Sequence, residues 1–130
     1  MIDPPKVLLE RSFLQAVADH ENPNHDAAAT EYLDLVRRYA AAEILLVAVH
    51  THLGELVGLD RRHVFAPVDR LWVGFQHRRA AARSQVADDP DLAITLVMAQ
   101  RHRVRIIATF DARFDDFDIA IVPATAATTG

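Results

Sequence analysis

Four carboxylates fall at strand ends or in the first turn of helices, where a folded chain can bring them together at one edge of a sheet. Glu10 follows Val7-Leu8-Leu9, Glu55 lies one turn past the run ending at Val49, Asp91 stands behind Asp89-Pro90, and Asp111 comes two residues after Thr109. Ligands of open α/β sheets bind outside the carboxyl ends of the strands. Acids gathered there repel one another unless a cation neutralises them. All-oxygen ligation suits Mg²⁺ or Mn²⁺, and such ions can activate water and steady the leaving oxygen when a phosphodiester is hydrolysed. Asp115 and Asp116 lie one turn beyond Asp111 and offer a further ligand. Taken singly, Asp91 and Asp111 read more simply as helix caps. The signal lies in the constellation, and it depends on the order of the strands.

The elements that must position these acids are legible from periodicity. Val7–Leu9 reads as a buried strand, and Ser12 as the cap of a helix to about Asp19 with Phe13, Leu14 and Val17 inward. After the loop from His20 to His25, Asn24 or Asp26 caps a long helix to about Ala42. Its apolar face carries Tyr32, Leu33, Val36 and Tyr39, read as core or in part as a partner surface. Ile44–Val49 is a second buried strand, and Thr51 opens a helix with Leu53, Leu56 and Val57 on one face. Val64–Val68 is a weak edge strand because of Pro67. The stretch from Leu71 to Arg83 reads as a helix with Leu71, Trp72 and Phe75 in the core. Asp89 caps a helix with Pro90 in its first turn. Val104–Thr109 and Ile119–Val122 are the last strands, and residues 124–130 an expected disordered tail. The order β-α-α-β-α-β-α-α-β-β predicts a single domain over 1–123, with a largely parallel sheet covered on both faces.

Composition narrows the chemistry. The chain of 130 residues is 51% hydrophobic and has no cysteine. It can therefore fill a core, and thiolate metal sites, disulfides and cysteine nucleophiles are excluded. A net charge of −4 argues against a protein that coats duplex DNA by bulk positive charge. Local arginine patches remain, since Lys6 is the only lysine. Four glycines, at 54, 58, 74 and 130, form no phosphate loop. The N-terminus has no basic and apolar leader pattern, and the run Ile44–Val49 is too short to span a bilayer, so a soluble cytoplasmic protein is expected.

These residues resemble a known family. Val7-Leu8-Leu9-Glu10-Arg11-Ser12 is similar to the opening strand of PIN domains, which usually runs apolar, then Asp, then small polar residues. Val47–Leu56 resembles their second strand and helix, ending in the second acid. Asp91–Ala99 resembles the helix that carries the third, and Thr109-Phe110-Asp111 with Phe114, then Ile121-Val122-Pro123, the closing motif. The likeness runs from about residue 6 to 123. It implies a three-layer α/β/α fold around a mostly parallel sheet of four to five strands. It also implies a Mg²⁺- or Mn²⁺-dependent ribonuclease like the toxins of VapC-type toxin–antitoxin pairs, a homodimer, and an antitoxin over the acidic site. Glu10, Glu55, Asp91 and Asp111 then take the catalytic and metal-binding positions, and Ser12, Thr109 and Asp115 support them. The sequence departs from the pattern at the first acid, Glu10 in place of Asp, and at Arg11, whose guanidinium can pair with the acids meant for a metal. A PIN-like module that binds RNA or a protein without cutting is therefore the alternative.

Other features weigh less. His50-Thr51-His52 would place two rings together on a strand, and a zinc site would need His63 or His77 as well. Arg61-Arg62 and Arg78-Arg79 with Arg83 can grip an RNA backbone, but solvated faces are the commoner explanation. Trp72 and Phe75 at helical spacing read as core before base-stacking platform.

Overall fold

The computed structural model describes residues 3–56, 58–59, 63–117 and 119–122. Val57, the Arg61-Arg62 pair, Pro123 and the 124–130 tail, each given a role above, lie outside the described residues. The elements run β1 (Lys6–Leu9), α1 (Arg11–Ala18), α2 (His25–Ala40), β2 (Leu45–Val49), α3 (His50–Gly54), β3 (Asp69–Leu71), α4 (Phe75–Ala82), α5 (Pro90–Arg101), β4 (Ile106–Ala108) and β5 (Ala120–Val122). A 3-10 turn, Ala112–Asp116, joins the last two strands. This is the order expected from periodicity.

All four strand pairings are parallel, in the order β3-β2-β1-β4-β5. Successive side chains of a strand face opposite sides, and β1 shows what that does here. Val7 and Leu9 pack with Phe13 and Leu14 of α1 and Tyr32 and Leu35 of α2. Leu8 faces the other way, with Leu92 and Met98 of α5 and Phe114. Both faces of the sheet are covered, giving three α/β/α layers. The chain first builds outward from β1 through β2 to β3, then returns to the opposite side of β1 for β4. The crevice between β1 and β4 is thus the switch point where such sheets bind ligands. Helices α2 and α5 end on left-handed residues other than glycine, Ala42 (φ 61°) and Arg103 (φ 56°). The Glu43 and Val104 amides then donate back to Arg38 and Ala99 carbonyls, at 2.9 and 2.8 Å, turning the chain towards β2 and β4.

Four local expectations are corrected. The third strand is not Val64–Val68, which forms turns, but Asp69–Leu71 beyond Pro67. The following helix starts at Phe75, behind Gly74, so Leu71 belongs to the strand and Trp72 to the connection. Leu71 is buried, whereas Trp72 is 64% and Phe75 74% exposed, so neither aromatic is core. Glu10, not Ser12, caps α1. On α2, Tyr32 is buried and Val36 partly so, while Leu33 and Tyr39 face solvent. Among the described residues no helix is long and apolar enough to cross a membrane.

Candidate active site at the carboxyl edge of the sheet

The pairing of Leu9 with Ala108 places the next residues, Glu10 and Thr109, side by side at the sheet's carboxyl edge. The Glu10 amide still donates to Ala108 O (3.0 Å), so the sheet holds this residue as the chain turns into α1. Its buried carboxylate accepts three hydrogen bonds on Oε1, from the Ser12 amide (3.0 Å), the Ser12 hydroxyl and the Thr109 hydroxyl (2.6 Å). Among the described residues Oε2 accepts none. Ser12 Oγ in turn accepts from the Phe110 amide, and Thr109 Oγ1 from the Asp111 amide, both at 2.9 Å. One small polar network therefore ties the end of β1 to the end of β4. Ser12 and Thr109 thus both donate to the Glu10 carboxylate.

The remaining acids are held by arginines. Arg11, in the first turn of α1, donates from Nη2 to Glu55 Oε1 at 2.6 Å and from Nη1 to Asp91 Oδ2. A single planar fork bridges the end of α3 and the start of α5. Arg113, in the 3-10 turn, binds both oxygens of Asp111, with Nε to Oδ1 at 3.0 Å and Nη2 to Oδ2 at 2.5 Å, and it pairs with Asp89. Asp111 also caps that turn by accepting from the Arg113 amide (3.0 Å), and Asp89 caps α5 by accepting from the Leu92 amide (3.2 Å). Glu10, Asp89, Asp91 and Asp111 line one pocket of about 160 Å³ together with both arginines. Glu55 stands outside its walls and joins it through Arg11. Asp115 is exposed and takes no part. Asp89 and Arg113 were missed in the sequence. Asp89 reads as an ordinary cap there, and its long-range partner has no local signature.

His52 of α3 lies buried next to Asp91. It is 3% exposed, its Nε2 stands 4.0 Å from Asp91 Oδ1, and its buried Nδ1 has no hydrogen-bond partner among the described residues. Burial, and then the Arg11 charge, push its pKa below the ordinary 6.5 against the opposing pull of Asp91, Glu55 and Glu10. A histidine kept neutral by the fold stabilises fully above pH 6.5. As the pH falls below that value the unfolded chain takes up the proton first, and stability drops until the folded-state pKa is passed. Urea midpoints measured in EDTA should fall from pH 7 to pH 5, and His52→Gln should flatten that slope. An unchanged slope would show that His52 does not titrate on unfolding.

The fit of a divalent cation is decided by what each oxygen already does. Glu55 and Asp91 share Arg11, Asp111 and Asp89 share Arg113, and Glu10 gives one oxygen to hydroxyl groups. Among the described residues no three of Asp, Glu or His stand so as to hold a metal ion. In this arrangement the side chains do not form a metal site, because guanidinium groups neutralise the acids instead. The zinc alternative fails similarly. His50 opens α3 rather than lying on a strand, stacks on Trp72 with ring centres 3.6 Å apart, and contacts Arg70 through Nδ1.

A parallel sheet with β1 at its centre, acids at the carboxyl edge and a Thr-x-Asp turn after β4 define a PIN-type fold. The fold is that of the crystal structure of Mycobacterium tuberculosis VapC20, a Sarcin-Ricin loop cleaving toxin. The TM-score is 0.64, with 16% sequence identity over 87% of this chain and 98% of that one. No protein-family model and no curated protein matches the sequence.

Proposed function

We propose that this chain is an endoribonuclease of the PIN type, the toxin half of a toxin–antitoxin pair, hydrolysing RNA phosphodiester bonds in the cytoplasm. The observation that carries this reading is the pocket into which β1, α5 and the turn after β4 deliver Glu10, Asp91 and Asp111, joined by Asp89. Four carboxylates against two guanidiniums leave a formal excess of two negative charges there. That excess matches the charge of one Mg²⁺ or Mn²⁺, the ion that the family resemblance implies. The RNA-cleaving toxin of the same fold supports the substrate class. A homodimer and an antitoxin partner belong to the same reading, and the exposed Leu33 and Tyr39 of α2 offer them an apolar surface.

The Arg11 and Arg113 pairs favour a second reading, a module that binds RNA or protein without cutting. A ribonuclease assay in Mn²⁺ and in EDTA separates the two. The first reading expects cleavage in Mn²⁺, none in EDTA, and a loss of about 100-fold or more in Asp91→Asn. Absence of wild-type cleavage, with cleavage regained by Glu10→Asp, would establish the second. No cleavage by any of the three proteins would sink the enzyme proposal.

A further inference from the structure

Residues 70–83 carry Arg70, Arg78, Arg79 and Arg83 and no acid, in a chain whose net charge is −4. All four arginines are exposed, and among the described residues none is paired with a carboxylate, in contrast to Arg11, Arg38 and Arg113. The two exposed aromatics lie in the same stretch. Trp72 stacks on His50 at an interplanar angle of 25°, and the Arg79 guanidinium lies over the Phe75 ring at 5.7 Å. Scattered surface aromatics need no explanation. Two of them within four residues, each beside a cationic or polar ring partner in the most basic part of an acidic protein, do.

The position of this face gives it a direction. Trp72 follows the carboxyl end of β3 and His50 that of β2, so both sit on the edge of the sheet that carries Glu10 and Thr109. A second cavity of about 390 Å³ is lined by Val73, next to Trp72 in the chain, by Thr51 and His52 of α3, by Arg78 and Ala81 of α4 and by Asp91. Asp91 lines both this cavity and the acidic pocket, so the two adjoin. The cavity is large enough for a nucleobase and offers apolar walls with a few polar groups.

We infer that the β3–α4 face is a docking track for single-stranded RNA, with Trp72 and Phe75 stacking bases and Arg78 and Arg79 holding phosphates at the mouth of the cavity beside Asp91. Aromatic platforms interleaved with cations recognise unpaired bases, because every base has a π-face and the backbone is uniformly anionic. A duplex hides those faces. The unpaired positive charge selects an anionic polymer over an apolar protein surface. The inference rests on the ribonuclease reading for its direction, but binding can be measured without cutting.

The test is fluorescence anisotropy of a labelled 12-nucleotide single-stranded RNA and of its duplex, about a one-turn length, in EDTA. It compares wild type, Trp72→Ala, Phe75→Ala and the Arg78→Ala/Arg79→Ala double variant, with oligomeric state followed by light scattering. These side chains are exposed, so the variants should melt like wild type. Each aromatic variant is expected to bind the single strand about tenfold more weakly or worse. The arginine double variant should lower the salt slope by about 1.4. The duplex should bind more weakly than the single strand. Unchanged affinity in the aromatic variants, no binding by wild type, or equal preference for duplex would overturn the proposal. A loss of affinity that comes with a change in oligomeric state would also overturn it, making the face a protein interface. Intact RNA binding without Mn²⁺-dependent cleavage would remove the nuclease and leave the track in place.

Discussion

Arg11→Gln should convert a site whose acids are bridged by an arginine into one that gains stability from a divalent ion. In the wild type, one guanidinium answers both Glu55 and Asp91 across the gap between α3 and α5. Its removal leaves two carboxylates facing each other beside the excess negative charge of the pocket. Both acids are close to half exposed, so water screens much of the repulsion, and a loss of about 1–2 kcal/mol is expected in EDTA. For a domain of this size that corresponds to a fall in Tm of about 3–8 °C. Added Mg²⁺ or Mn²⁺ should recover most of it in the variant and stabilise the wild type less, because Arg11 competes there for the same acids, and an ion that binds only the native state stabilises it by mass action. Thermal melts with and without the ions provide the measurement. A variant whose Tm ignores both EDTA and Mn²⁺ would mean that Arg11 is not the counter-ion of these acids.

Glu10→Ala should produce the larger loss of stability. The side chain is 7% exposed, caps α1 and is the common acceptor for Ser12 and Thr109. Losing the cap costs about 1 kcal/mol, and leaving a buried hydroxyl without its charged acceptor costs about 1–3 kcal/mol more. A total of about 2–4 kcal/mol is expected from urea melts. Glu10→Gln, which keeps an acceptor oxygen at the same reach, should lose only about 1 kcal/mol. Equal losses for the two variants would mean that the residue matters through packing rather than through its bonds. In this structure Glu10 first holds the carboxyl ends of β1 and β4 together, whatever its other oxygen does for an ion.

The parts of the fold that were legible share a cause. β1, β2 and β4 are apolar because they are buried on both faces, and α5 announces itself by the Asp89-Pro90 start. Those signals are local. The third strand was not legible, because an edge strand of three residues with one buried side chain, Leu71, leaves no period to read. The helical spacing of Leu71, Trp72 and Phe75 is a coincidence across a strand, a connection and a helix start. It therefore points to core where the structure has surface. At the site, Glu10 and Asp111 could be placed from strand ends and Asp91 from its helix start, and Arg11 could be suspected from its neighbour. Their convergence, and the Asp89–Arg113 pair across 24 positions of sequence, depend on strand order and tertiary packing that no local pattern encodes.

The outermost strands have a consequence for self-association. β3 and β5 each span three residues, and β3 opens with the exposed, charged Asp69 and Arg70. Margins so brief, and at β3 so polar, are poor templates for a strand from another chain. Copies of this protein are thereby discouraged from zipping sheet to sheet into open-ended aggregates.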